Sequence, residues 1–263
     1  MIGNNIVLPS KGILYVGNNK LAGGKLEVFP MKTKQEELLA GRSEMISIIN
    51  KLILACVPGI KEAGISPLDL LSGDRLFLLF MIRKFTYGPL YGFKIKCPGC
   101  DLAFRKEITI PDSLYINELK DGDTEPFEAI LENKKKTKIG FRLLTGHDEV
   151  EIDRYRTLSF KRGGVDGGDP SYTYTIARHI VSINGEPVDP RQAKEFVDEM
   201  EGMDSSILQE AIRDKEPGVS RELEFECPQC GFDIDTLMPY TSEFFRPKLR
   251  RGRENLRAEI SNS

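Results

Sequence analysis

The chain has 263 residues, 40% of them hydrophobic and 29% charged, with a net charge of −3. That suits one large globular domain or two modest ones. The acidic balance excludes a nucleic-acid binder that works through an overall positive field, and with no apolar run of about 18 residues no membrane span is expected.

Residues 1–30 read as strands and turns: Ile6, Leu8, Leu14, Tyr15 and Val16 form extended pieces, broken at 9–12 and 17–19, before Leu26, Val28 and Phe29. The opening lacks a charged start followed by an apolar core, so no secretory signal is expected. In a reducing compartment, paired cysteines favour metal ligation over disulfides. A helix is expected after Thr33, with Gly41 stopping it. Ser43 is the expected cap of the next helix, whose stripe is Met45, Ile46, Ile49, Leu52 and Ile53 and which stops before Pro58. Cys56 lies in that apolar stretch and reads as a buried core cysteine. Ser66-Pro67 is a cap followed by proline at the first helical position, and Ser72-Gly73-Asp74 opens a further helix. Its run from Leu76 to Ile82 is apolar all round, which places it at the centre of the core. Gly88 and Pro89 then turn the chain into a strand in which Tyr91, Phe93, Ile95 and Cys97 alternate.

Two Cys-Pro-x-Cys knuckles follow, at Cys97/Cys100 and Cys227/Cys230. Four thiolates in two pairs are what a tetrahedral ion such as Zn²⁺ needs, and a two-residue spacer lets each pair turn both sulfurs toward one metal. The strand-like residues Phe104, Glu107 and Ile108 follow the first knuckle. Leu223 and Phe225 precede the second, and Phe232 and Ile234 follow it. Each half therefore reads as hairpin–knuckle–hairpin, the local shape of a zinc ribbon and also of the paired knuckles of rubredoxin. The rivals are a redox dithiol, a disulfide pair or two independent knuckles; thioredoxin-like chemistry needs the motif at a strand-to-helix junction. Thiolate tetrahedra suit both ions, with zinc expected and iron ranked below it because rubredoxin is far shorter than the segment between these knuckles. Cys97, Cys100, Cys227 and Cys230 are thus the candidate ligands of one structural site, with residues 101–226 inserted into the clip.

Within that insertion, Phe127 to Leu131 and Ile139 to Leu144 read as strands joined by a solvated turn at Lys134, Lys135 and Lys136. A helix is expected from Thr145 to about Phe160 and a flexible loop over 163–170. Residues 173–184 read as helix or strand, and Asn184-Gly185 as a tight turn. Helices are expected from Pro190 to Met200, after an Asp189 cap, and from about Asp204 to Asp214.

The composition of catalytic side chains argues against an enzyme. His147 and His179 are the chain's two histidines. His147 reads as a helix-start residue and His179 as a residue without a catalytic role, and no hydrolase, metalloprotease or nucleotide-binding motif is present. Four cysteines close a metal shell and leave no position for an activated water. The end of the chain is basic: Phe244-Phe245 precede Arg246, Lys248, Arg250, Arg251, Arg253 and Arg257. It reads as a solvated terminus or as a docking segment for an acidic surface or nucleic acid.

Several of these stretches together resemble the tail-baseplate proteins of contractile-tailed bacteriophages, the family named for the phage T4 baseplate hub and its assembly. They are Leu8-Pro9-Ser10-Lys11-Gly12-Ile13-Leu14-Tyr15, Asp74 ahead of the apolar helix, Arg83 to Tyr91 (RKFTYGPLY), and the two knuckles before Phe244-Phe245. The resemblance implies a hub component or hub-assembly factor whose partners are other baseplate and tail proteins. It implies assembly in the host cytoplasm and residence in the virion if the protein is retained, and it assigns no catalytic residue and no small-molecule substrate. The alternative is a zinc-ribbon adaptor that contacts nucleic acid through the basic end. The expected architecture is α+β: strands and a helical block over 1–92, a split zinc-ribbon-like module over 93–110 and 220–240, an inserted α+β segment over 111–219, and a basic tail over 241–263.

Overall fold

The computed structural model describes residues 3–17, 21–40, 44–161, 168–239 and 242–245. It mixes helices and strands, as expected of an α+β chain. β1 (Asn4–Val7) and β2 (Lys25–Val28) pair antiparallel. The extended piece expected at Leu14 to Val16 is instead wound into turns, and Val16 is 92% exposed. The cause is local. Lys11 and Gly12 both take positive φ (52° and 71°), and a Cβ on Gly12 would lie 2.0 Å from the Leu21 carbonyl oxygen, so only glycine turns the chain there.

α1 (Thr33–Ala40), α2 (Met45–Cys56), α3 (Pro58–Glu62) and α4 (Ser72–Tyr87) form the helical block. The expected stop at Gly41 and cap at Ser43 lie outside the described residues. In α2 the core-facing residues are Ile48, Leu52, Ile53 and Cys56; Met45, expected in the stripe, is 49% exposed. The short helix α3 carries no periodic signal and was not expected. The cap at Ser66 is present: its hydroxyl accepts from the Leu68 N–H, but it starts a single 3₁₀ turn at Pro67–Asp69. α4 is buried from Phe77 to Arg83, in keeping with its all-round apolar run.

β3 (Leu90–Lys96) and β4 (Ala103–Thr109) make the first long hairpin. β5 (Ile116–Asn117) follows, then β6 (Phe127–Ile130) and β7 (Lys138–Phe141), joined by the expected exposed lysine turn. α5 (Gly146–Lys161) comes next, and of the predicted 163–170 loop only residues 168–170 are among the described residues. The ambiguous stretch 173–184 is both things in turn, α6 (Ser171–His179) and then β8 (Ile180–Ile183). β9 (Glu186–Pro187) returns through Asn184 and Gly185 at φ 52° and 86°, the paired positive values of a tight hairpin turn. α7 (Pro190–Asp198) starts in a full capping box, with the Asp189 carboxylate accepting from the Arg191 and Gln192 N–H groups. α8 (Gly202–Lys215) leads to β10 (Gly218–Val219), which pairs with β5. β11 (Glu222–Glu226) and β12 (Asp233–Leu237) form the second long hairpin, and α9 (Ser242–Phe245) closes the described chain. No helix among the described residues is long and apolar enough to cross a membrane.

Two apolar clusters carry most of the packing. One gathers β1, β2, α2–α4, both long hairpins and Phe244/Phe245; the other holds the four-stranded sheet β6–β7–β8–β9 with α6–α8. They meet at the start of α4. Ser72 N–H donates to Leu144 O (2.9 Å), Gly146 N–H to Leu70 O (3.1 Å), and Arg75 pairs with Glu149 at 3.0 Å. A Cβ on Gly73 would stand 1.5 Å from the Pro217 carbonyl oxygen, so the two backbones touch and only glycine permits it.

Candidate metal centre

The long hairpins β3–β4 and β11–β12 each carry a Cys-Pro-x-Cys turn at the tip, and the two tips are built alike. Cys97 N–H donates to Leu102 O (2.9 Å) and Cys227 N–H to Phe232 O (2.9 Å). Asp101 N–H donates to Cys97 O and Gly231 N–H to Cys227 O, both at 3.0 Å. The residue after each second cysteine is left-handed, Asp101 at φ 59° and Gly231 at φ 70°. This reversal turns both sulfurs of a pair to the same side and frees backbone N–H groups to face them: Gly99 N–H lies 3.3 Å from Cys97 Sγ.

The hairpins then close on each other. Phe104 and Phe225 meet edge to face at 6.2 Å, Lys106 Nζ sits 4.3 Å above the Phe225 ring, and Tyr91 donates its hydroxyl to Pro239 O at 2.6 Å. This brings the four sulfurs within 4.8 Å of one another, with Cys97–Cys230 at 3.7 Å and Cys100–Cys227 at 3.8 Å. All four predicted residues are therefore collected in one place. A tetrahedral thiolate site with bonds of about 2.3 Å has ligand–ligand edges of about 3.8 Å, so the cluster fits such an ion. A disulfide needs about 2.05 Å, and all four thiols are free.

The electrostatics of the bare thiols are in conflict. Backbone N–H bonds from Cys230 and Gln229, with the neighbouring side chains of Cys97 and Cys230, pull Cys227 down to about 6. Cys100 goes the other way, up to about 12: a bond from the Leu102 N–H favours its thiolate, but burial and its three sulfur neighbours outweigh it. A divalent cation among the sulfurs removes that repulsion. Cys97 and Cys227 are buried while Cys230 is exposed, so the cluster is open from one side.

The other residues singled out in the sequence have structural partners. Ser10 N–H and the Tyr15 hydroxyl donate to the Asp74 carboxylate, at 3.1 and 2.6 Å, and Leu71 N–H donates to the Tyr15 oxygen at 3.0 Å. Asp74 is fully buried, and that burial raises its pKa while bonds from Ser10 and Tyr15 oppose the rise. The LPSKGILY segment is thus a clasp over the start of α4. Arg83 is 2% exposed; its guanidinium donates to the carbonyls of Gly88, Leu90 (2.6 Å) and Phe244 (3.4 Å) and lies over the Tyr91 and Phe244 rings. The RKFTYGPLY segment therefore ties the end of α4 to β3 and to the chain's end. Sequence reading missed this use of Arg83, and the signal for it was the first of two charges, Arg83 and Lys84, that end the apolar helical run.

His147 Nε2 pairs with Asp69 at the exposed start of α5 (2.9 Å). His179 is buried with Nδ1 2.8 Å from Arg142 O, and burial lowers its pKa to about 4, so the ring is neutral. Beside it Asp148 is held by Arg142 and Arg178 and its pKa is lowered: burial opposes ionisation, but those bonds outweigh it. Cys56 is pushed up to about 11 by burial and packs as an apolar group.

Neither a comparison with curated proteins nor one with solved structures found a match. A comparison with family models did: the family described as T4 bacteriophage base plate protein matches residues 14–246, from within the opening clasp to just beyond the Phe244-Phe245 anchor. The matched span contains the knuckles, the buried helix α4 and the whole segment between the hairpins, and the chain belongs to this bacteriophage base plate family.

Proposed function

We propose that the protein is a baseplate hub component or hub-assembly factor that acts by protein–protein binding, without turnover, and that Cys97, Cys100, Cys227 and Cys230 hold one structural Zn²⁺. Family membership supports the baseplate role. The four sulfurs at tetrahedral spacing support the metal, and four protein ligands would leave no site for water, which suits a structural ion. In this reading β3–β4 and β11–β12 are the halves of a split zinc-ribbon-like module over 93–110 and 220–240, set between the strands and helices of 1–92 and the inserted segment 111–219. Iron fits the same thiolate set and ranks second. In this reading assembly takes place in the host cytoplasm, and the protein sits in the tail baseplate if it is retained as a hub component.

The observation that carries the metal assignment is the convergence of two sequence-distant pairs on one point. Metal analysis of protein purified with its thiols reduced tests it: one zinc per chain is expected, and metal-free protein with intact thiols and an unchanged melt overturns it. Co-purification with the other baseplate proteins tests the assembly role, which fails if the chain binds none of them.

A further inference from the structure

The four sulfurs of the candidate metal centre are not held alike. Cys97 and Cys227 are buried members of the apolar cluster between the hairpin tips, and Cys100 packs against it half-buried, with Leu102 and Phe104 from the same hairpin. Cys230 is exposed and stands outside that cluster. The two knuckles differ along their length in the same way. In the second, every residue from Pro228 to Asp233 is exposed; in the first, Cys100, Leu102 and Phe104 are half-buried between exposed neighbours. Leu102, two residues after Cys100, turns inward. The matching residue after Cys230 is Phe232, which is 46% exposed and lies over Gly99 of the other knuckle, where a Cβ would meet its ring at 2.9 Å. Gly231, in the left-handed turn between Cys230 and Phe232, faces open space.

A ligand leaves a metal only if its side chain has somewhere to go and something can take its place. Close packing around Cys97 and Cys227 denies both. At Cys230 the side chain has solvent beside it, and a reagent in solution can reach the vacated place. Buried cysteines are inert, and reactive ones sit where solvent reaches them. Three fixed protein ligands with one exchangeable position is the arrangement zinc takes where its fourth ligand must change. What opens at Cys230 is the place of a single side chain, so the class of ligand that fits is a small thiol, the same donor type as the sulfur it replaces.

We propose, resting on the reading of the four sulfurs as one metal site, that Cys230 is its releasable ligand: Cys97, Cys100 and Cys227 keep the ion, and a small external thiol exchanges with Cys230. The exchange balances. The Cys230 sulfur leaves as the incoming thiolate binds, and it takes up the proton the incoming thiol gave up, so the sulfur count and the charge are unchanged. The full chain loaded with Co²⁺, whose visible bands report the thiolates around it, tests this. Cys230→Ser is expected to keep one Co²⁺ per chain with shifted bands, and 2-mercaptoethanol to restore them; Cys97→Ser is expected to lose the ion. Labelling of the native zinc-loaded chain with limiting iodoacetamide needs no variant to fold: among the four cysteines, the singly labelled chain is expected to carry its label on Cys230, read by peptide mass spectrometry. Loss of Co²⁺ from Cys230→Ser as complete as from Cys97→Ser, bands that the thiol does not restore, or a single label spread evenly over the four overturns the proposal and leaves the metal reading standing. A native chain that takes up neither Co²⁺ nor Zn²⁺ overturns both.

Discussion

Around α4, the buried cluster draws side chains from both ends of the chain: Leu8 and Val28 from the N-terminal strands, Phe77 to Ile82 from the helix, and Phe244 and Phe245 from the far end. Between the hairpin tips, the buried members among the described residues are Cys97, Cys227 and Ile234 alone. The first region has the apolar surface to stand on packing, at about 25 cal/mol per Å² buried. The second has not: the hairpin bases join the first cluster through Tyr91, Phe93, Ile108 and Leu223, but the tips share a core of three buried residues, too little apolar surface to hold two hairpin ends together. The contrast sets apolar burial, where the chain has large side chains, against four convergent sulfurs where it has few; in the proposed reading a metal among those sulfurs supplies the closure.

Metal removal should separate the two regions most strongly. A metal across the knuckles would close a loop of roughly 130 residues, worth about 5 kcal/mol in chain entropy alone before bond energy is counted. Chelation, or Cys97→Ser, is expected to lower the melting temperature and to expose the amides of β3, β4, β11 and β12 to hydrogen exchange well before those of α4. Simultaneous loss of protection in both regions would show that the core depends on the metal as well.

Acid is the next largest lever, and it acts on neither region but on the helices packed against the four-stranded sheet. His179 has a folded pKa of about 4 against about 6.5 when unfolded. The unfolded chain therefore binds more protons between those values, and stability is full above pH 6.5 and falls as pH drops toward 4, by about 3 kcal/mol. Asp148, whose folded pKa is lowered, adds to the loss as pH falls through and below the normal carboxylate range. Denaturant melts across this range should show the decline, and His179→Gln should flatten it between pH 6.5 and 4.

The seam between the clusters comes next. Gly73→Ala forces a Cβ into the Pro217 carbonyl and is expected to cost about 2–3 kcal/mol, read as a shift in denaturant midpoint. The smallest effect concerns the two knuckles themselves. Gly231→Ala places a side chain at φ 70° with open space around it and should cost about 1 kcal/mol from backbone strain alone. Asp101→Gly, at the matching position, should relieve a comparable strain; equal stability changes of the same sign would break the likeness of the two turns.

Features whose cause is local were readable in the sequence. The capping box at Asp189, the Asn184-Gly185 turn and the burial of α4 depend on residues a few positions apart. So does the geometry of each knuckle, and the pairing of like motifs was enough to nominate the four sulfurs. Other features also needed distant partners. The turn at Lys11 and Gly12 takes Tyr15 out of the expected strand, and the distant Asp74 carboxylate then holds its hydroxyl; Arg83 is buried because it serves carbonyls at Gly88, Leu90 and Phe244.

Residue order alone, then, was sufficient to name the α+β content and the four cysteines that converge, because periodicity, caps and Cys-Pro-x-Cys spacing act over a single turn or hairpin. Tertiary contact alone decided that the two knuckles meet, that the opening segment clasps Asp74 and that Gly73 touches Pro217. Those contacts join residues dozens to more than a hundred positions apart, and closing such loops is decided by the packing of the whole chain.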